Sequence, residues 1–177
     1  MSNVFISPSV QEFNRFSGGG NEEYYMNLIA DELVPLLSEK GISIERNSPD
    51  DTLSGIIRQS NSTNRNLHLA IHSNAGGGEY AGRTMGAEIY YYPYSEQGKK
   101  AAEIIAKNYK KFYPNPNAVR TVPTTELAEI TKTKAPAVLI EVGFHDNPAE
   151  AEWIRENISN IAKSLADSVS EFLTDNS

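Results

Sequence analysis

A single three-layer α/β domain, with a mostly parallel twisted sheet between helices, is the fold the sequence predicts. Three observations carry that expectation. Short apolar runs of strand length alternate with amphipathic stretches of helix length along the whole chain. Glycine and proline clusters fall between the runs, where turns are needed. A length of 177 residues with 39% hydrophobic content suits one sizeable core and hardly two.

Taken in order, Val4 to Ile6 reads as a buried strand that enters a loop at Ser7-Pro8-Ser9, and the loop runs on through Gly18-Gly19-Gly20. From Asn21, a cap with Glu22 and Glu23 in the first turn, the apolar residues Tyr25, Leu28, Ile29, Leu33, Leu36 and Leu37 repeat at three-and-four spacing, and Gly41 stops the helix. Pro35 removes a backbone donor inside that pattern, so a kink or an early end is expected there. Ile42 to Ile44 alternates as a strand, Asp51 to Asn61 is helical, and Leu67 to Ile71 is the next strand, followed by a loop from Ser73 to Gly78. Ala87 to Tyr92 is strand and Glu96 to Phe112 an amphipathic helix. Ala137 to Val142 is a near-continuous apolar strand broken by Glu141, and Ala149 to Leu173 supplies one or two closing helices. Residues 1–175 are expected to form the one domain, with a frayed tail after them.

The composition narrows the function. Sixteen Lys and Arg against 23 Asp and Glu leave a formal charge of −7, and no run of basic residues forms a patch for phosphates, so no nucleic acid is expected as partner. There is no Cys, which removes disulfides, a thiolate nucleophile and a Cys-ligated zinc site. Any metal must be held by His, carboxylate or amide oxygen. Met1 to Pro8 lacks the basic start and apolar core of a secretory signal, and no stretch reaches membrane-span length, so no membrane insertion is expected. The absence of a Gly-x-Ser-x-Gly elbow removes a serine hydrolase of the α/β-hydrolase kind.

In open α/β sheets, ligands sit beyond the carboxyl ends of the strands. His72 ends one strand before a Gly-rich loop, and Glu141 ends another before Val142-Gly143-Phe144. A carboxylate at the end of an apolar strand is costly unless it is paired or metal-linked, which favours a functional Glu141. His72 taken alone is as well explained by structure as by chemistry. Glu22 and Glu23 alone read as acids complementing the helix dipole, although the loop before them lets this helix end approach His72 and Glu141. The tyrosines at 90, 91, 92 and 94 read as half-buried strand aromatics rather than a sugar-stacking surface.

Three segments resemble the zinc-dependent N-acetylmuramoyl-L-alanine amidases of type 3, known from autolysins, sporulation enzymes and phage endolysins. Ile71-His72-Ser73-Asn74-Ala75 looks like the family's His-x-Asn motif; Lys134 to Phe144, continued by Asn147, is similar to its most diagnostic segment; Asn21-Glu22-Glu23 with Asn27 and Leu28 resembles the metal-binding Glu at the start of the first helix. The resemblance spans nearly the whole chain. It implies a Zn2+ held by His72 and Glu23, since the Glu-to-Asn spacing of four favours Glu23 over Glu22. It also implies Glu141 as catalytic acid/base and the amide between N-acetylmuramic acid and L-alanine of peptidoglycan as substrate. Where the family has Asp-Pro-Gly-His, this chain has Ser7-Pro8-Ser9-Val10-Gln11. Gln11, one position late, is expected to supply the third ligand through its side-chain oxygen. Asn14, His68, His145 or a site without metal are the alternatives, with His68 read as a packed or surface histidine. The rival function is a zinc-poor relative that binds peptidoglycan, or another partner, without cutting it. A monomer acting at the bacterial cell wall is expected, made in the cytoplasm and released by lysis, a holin or sporulation.

Overall fold

The computed structural model describes residues 2–176. Six strands, β1 (Asn3–Pro8), β2 (Ser43–Arg46), β3 (Leu67–Asn74), β4 (Ala87–Tyr91), β5 (Val119–Pro123) and β6 (Ala137–Phe144), form one sheet in the order β2-β1-β3-β6-β4-β5. The first four in that order run parallel, and the β4/β5 pair runs the other way against β6. Six helices connect them: α1 (Glu22–Glu39), α2 (Leu53–Asn61), α3 (Glu96–Tyr109), α4 (Ala128–Thr131), α5 (Pro148–Glu156) and α6 (Ile158–Thr174).

The two faces of the sheet differ, and the difference makes the site. Alternation sends Val4, Ile6, Leu67, Leu69, Ile71, Val138, Ile140 and Val142 to one face, where they pack with the buried stripes of α1, α3, α5 and α6 in the main core. The other face carries Ser7, His68, Ala70, His72, Leu139, Glu141, Glu88 and Tyr90. Among the described residues it is met by α2, by the short α4, whose Ile130 packs on Ala70, Ala137 and Leu139, and by Tyr92 and Leu127 beside them. The expected three layers are present, with a thin layer where the polar residues lie.

Most boundaries fall within a few residues of the sequence expectation, and three differences are physical. Helix α1 runs through Pro35 without ending. The Pro35 ring lies on the exposed side, between the buried Leu33 and Leu37 that hold the turn against the core, so the lost backbone bond faces water. β3 and β6 both extend beyond the apolar runs, so Ser73 and Asn74 are strand and not loop. A bulge between His72 and Asn74 opposite Glu141 and Phe144 accommodates that extension. β5 and α4 lie in a segment whose short, mixed pattern has no clear period. The C-terminal stretch, expected as one or two helices, is two, divided at Asn157.

Candidate functional site

His72 and Glu141 are direct neighbours across the β3/β6 pairing, and Glu88 of β4 is opposite Glu141 on its other side. The candidate site therefore lies on the thinly covered face of the sheet, near the carboxyl ends of β3 and β6, rather than beyond them. The two residues also share a face because alternation is in register in paired parallel strands.

Glu22 enters from α1. Asn21 caps that helix by accepting from the Tyr24 N–H, which sets where the first turn begins. Glu22 then continues the buried stripe of Met26, Ile29 and Leu33 at spacings of four, seven and eleven. Its carboxylate is buried: Oε1 is 3.0 Å from His72 Nδ1 and accepts from the Ser73 N–H, and Oε2 accepts from Asn14 Nδ2 at 2.6 Å. Glu23, the acid expected here, is not the one brought to His72. Rotated by one residue, Glu23 lies on the line of Asn27, whose Nδ2 donates to its Oε1 at 3.4 Å, and it does not meet His72. The spacing to Asn27 identifies a residue pair on one helix line, but of the two acids Glu22 is the buried one and Glu23 only half-buried.

Gln11 lies within one hydrogen bond of this group. Asn14 Nδ2 donates to Gln11 Oε1 at 2.8 Å and to Glu22 Oε2, so the amides of residues 11 and 14 line one side of the Glu22 carboxylate. The other two histidines are engaged elsewhere. His145 Nδ1 meets Ser73 Oγ at 2.8 Å and its ring stacks on Phe16. His68 is fully buried, stacked on Phe5, with Nδ1 at 2.9 Å from Ser60 Oγ. His68 is thus a packed histidine, as the sequence suggested, but one with two polar partners. Its Nε2 lies 2.9 Å from Oε1 of Glu129.

Glu129, on α4, is the residue the sequence reading missed. Its Oε2 is 3.3 Å from His72 Nε2, on the ring edge opposite Glu22, and its Oε1 also accepts from Ser7 Oγ. The signal was present in Leu127-Ala128-Glu129-Ile130, an acid inside a short apolar stretch, but nothing local says which strand it covers. Glu88 was also missed; it pairs with Arg120 and accepts from Tyr90 Oη. Tyr90 and Tyr92 pack on the smaller core cluster, and Tyr94 is exposed, so the tyrosine run forms no continuous platform.

The charges are unequal. Three carboxylates, Glu22, Glu129 and Glu141, surround one imidazole. Burial disfavours the His72 cation, but the bonds to Glu129 and Glu22, and the charges of Glu129 and Glu141, outweigh it and hold its pKa up to about 10. For Glu22, burial pushes upward while the His72 and Asn14 contacts win and lower the pKa. For Glu129, burial again pushes upward and is outweighed by His68 and His72, so it stays ionised. Glu141 is the opposite case. Burial raises its pKa to about 7, the His72 charge opposing and the Glu22 and Glu88 charges assisting. Among the described residues its buried Oε2 has no hydrogen-bond partner.

A divalent cation fits this donor set in part. It would balance the excess of buried carboxylate, and an imidazole nitrogen with a carboxylate oxygen 3.0 Å away is a pair zinc takes. Among the described residues, however, no group of three or more His, Cys, Asp or Glu is arranged to hold a metal. Gln11 Oε1 and the unpartnered Glu141 Oε2 are further oxygens of this group.

Comparison with known proteins agrees with this architecture. The chain is similar in structure to the amidase AmiC2 of Nostoc punctiforme (TM-score 0.84, 19% identity, 98% of this chain and 97% of that one covered). It is also similar to an N-acetylmuramoyl-L-alanine amidase of Clostridium difficile 630 (0.85, 21%, 99% and 98%) and to the catalytic domain of the CD27L endolysin targeting Clostridia difficile (0.75, 21%, 96% and 97%). No curated protein sequence matches the chain. The family model described as N-acetylmuramoyl-L-alanine amidase matches residues 11–171, nearly the full length. The chain therefore belongs to the N-acetylmuramoyl-L-alanine amidases, hydrolases of the amide between N-acetylmuramic acid and L-alanine in peptidoglycan.

Proposed function

We propose that this amidase is zinc-dependent, that residues 1–175 form its catalytic unit, and that Glu141 is its acid/base, with His72, Glu22 and Gln11 as metal ligands. The observation that supports this most is Glu141 Oε2, buried and unpartnered beside His72 on the thinly covered sheet face. Bound zinc would supply a Lewis acid for the scissile carbonyl and a water made acidic enough to lose a proton near neutrality. The remaining work belongs to the chain. Glu141, with a pKa near 7, is poised to take the water's proton and return it to the departing L-alanine nitrogen. Water adds across the C–N bond, leaving a lactyl carboxylate on the muramic acid and a free amine on the stem peptide. Glu22 and His72 are held rigidly from α1 and β3, so the donor pair needs little rearrangement. Gln11 contributes a neutral oxygen in place of an imidazole, which weakens the site without removing it.

The test is Glu141→Gln, which keeps the shape and removes the proton acceptor. Release of stem peptide from purified muropeptides should fall below detection while zinc content stays near the wild-type value. Loss of zinc in this variant would instead make Glu141 a ligand. A wild-type protein that binds peptidoglycan without cutting it, at saturating zinc, would favour the binding-only reading that the scarcity of strong donors supports.

A further inference from the structure

His72 has two ring nitrogens and a carboxylate on each. Glu22 Oε1 is 3.0 Å from Nδ1, and Glu129 Oε2 is 3.3 Å from Nε2. The two nitrogens point to different edges of the ring, so one ion bound through His72 shares space with Glu22 or with Glu129, but not with both. The second oxygen of Glu129 is fully occupied: Ser7 Oγ donates to it and His68 Nε2 lies 2.9 Å away. His68 is in turn fixed by Ser60 Oγ and by stacking on Phe5. Helix α4 is itself pinned to the sheet by Ile130 and, just beyond it, to the end of α2 by Asn61, which donates to the Lys132 carbonyl and accepts from the Lys134 N–H. Glu129 is therefore anchored on the side away from Glu22, Asn14 and Gln11, which gather around the other edge of the ring.

Glu129 Oε2, 3.3 Å from His72 Nε2, is placed to accept a hydrogen from that nitrogen. We propose that Glu129 is the positioning residue of this site: it holds a proton on His72 Nε2 and so presents Nδ1, the nitrogen beside Glu22, as the donor to the metal, with Ser7 and His68 fixing Glu129 in turn. The inference rests on the zinc reading above. It assigns Glu129 and His68 a role that is not ligation. A metal at Nδ1 would send any proton there to solvent and would leave the other proton on Nε2, hydrogen-bonded to Glu129. Such outer carboxylates orient the ring and raise its basicity as a ligand, and their loss costs about 10- to 100-fold in metal affinity.

The experiment uses Zn2+ itself, the full chain labelled with 15N-histidine, and competition against a calibrated chelator. In the zinc-loaded wild type, the His72 15N signals should show a metal-bound Nδ1 and a protonated Nε2. Zinc on Nε2 would overturn the proposal and make Glu129 a neighbour of the ion. Glu129→Gln should weaken zinc by about 10- to 100-fold. It should also change a tautomer. A carboxamide has one acceptor oxygen where the carboxylate has two, so its NH2 must face either His72 or the His68 and Ser7 pair. One of the two histidines must then move its proton to the other nitrogen. A purely packing role would not move these signals. Should Glu129→Gln not fold, Ser7→Ala removes one anchor of Glu129 and touches neither His72 nor Glu22, and it should weaken zinc in the same direction by a smaller factor. Wild-type affinity with unchanged tautomers in whichever variant folds overturns the proposal and leaves the zinc reading standing. A wild type that binds no zinc sinks both.

Discussion

Replacing Glu141 by glutamine should stabilise the metal-free protein at neutral and alkaline pH even as it abolishes hydrolysis. Burial holds this carboxyl at about 7 in the folded chain against 4.5 as its ordinary value, partly offset by the His72 charge. Between those two values the unfolded chain has ionised and the folded one has not, so the folded state carries a growing cost as pH rises. The sign follows: the contribution of Glu141 is harmless below pH 4.5, worsens through pH 7 and is constant above it. A gap of about 2.5 on the pH scale, at about 1.4 kcal/mol per pH unit, amounts to about 3 kcal/mol. The Glu141 charge also helps to hold the His72 cation, and glutamine gives up that support, so a net gain of about 1–3 kcal/mol is expected. For a chain of this size that raises Tm by about 2–12 °C. The assay is thermal unfolding of wild type and Glu141→Gln in the presence of EDTA from pH 4 to pH 9. The two should melt together at pH 4, and the variant should melt higher at pH 8. Equal melting at pH 8, or the same gap at pH 4, would refute the account of Glu141 as a buried charge held for chemistry.

Two further outcomes separate residues the sequence left open. Glu22→Gln should lower zinc affinity by about tenfold or more, and Glu23→Gln should leave it within about twofold, by chelator competition, because only Glu22 reaches His72; the reverse order would return the ligand role to Glu23. Gln11→His should tighten zinc, and Gln11→Ala should loosen it, since an imidazole is a stronger donor than an amide oxygen. An unchanged Gln11→Ala would pass the third position to Asn14, which touches the same carboxylate.

Sequence by itself determined the three-layer fold and the order of the elements other than β5 and α4, and it singled out His72 and Glu141. Those features are written in local terms: period-two and period-3.6 apolar patterns, a cap at Asn21, turn residues between runs, and polar residues interrupting apolar strands at His72 and Glu141. Tertiary structure alone decided which acid of the Glu22-Glu23 pair faces the site, because a helix turns 100° per residue and only packing against β1 and β3 fixes the rotation. It also decided that Pro35 is tolerated, since the core on either side of it outweighs one backbone bond lost to solvent. The Glu129 contacts with His68, His72 and Ser7 join residues 57 to 122 positions apart, on a four-residue helix too short to show a period. No local pattern encodes such a contact. It exists because the thin face of the sheet leaves room for one short helix, and because buried histidines there need an acceptor that the strand backbone, already paired in the sheet, cannot supply.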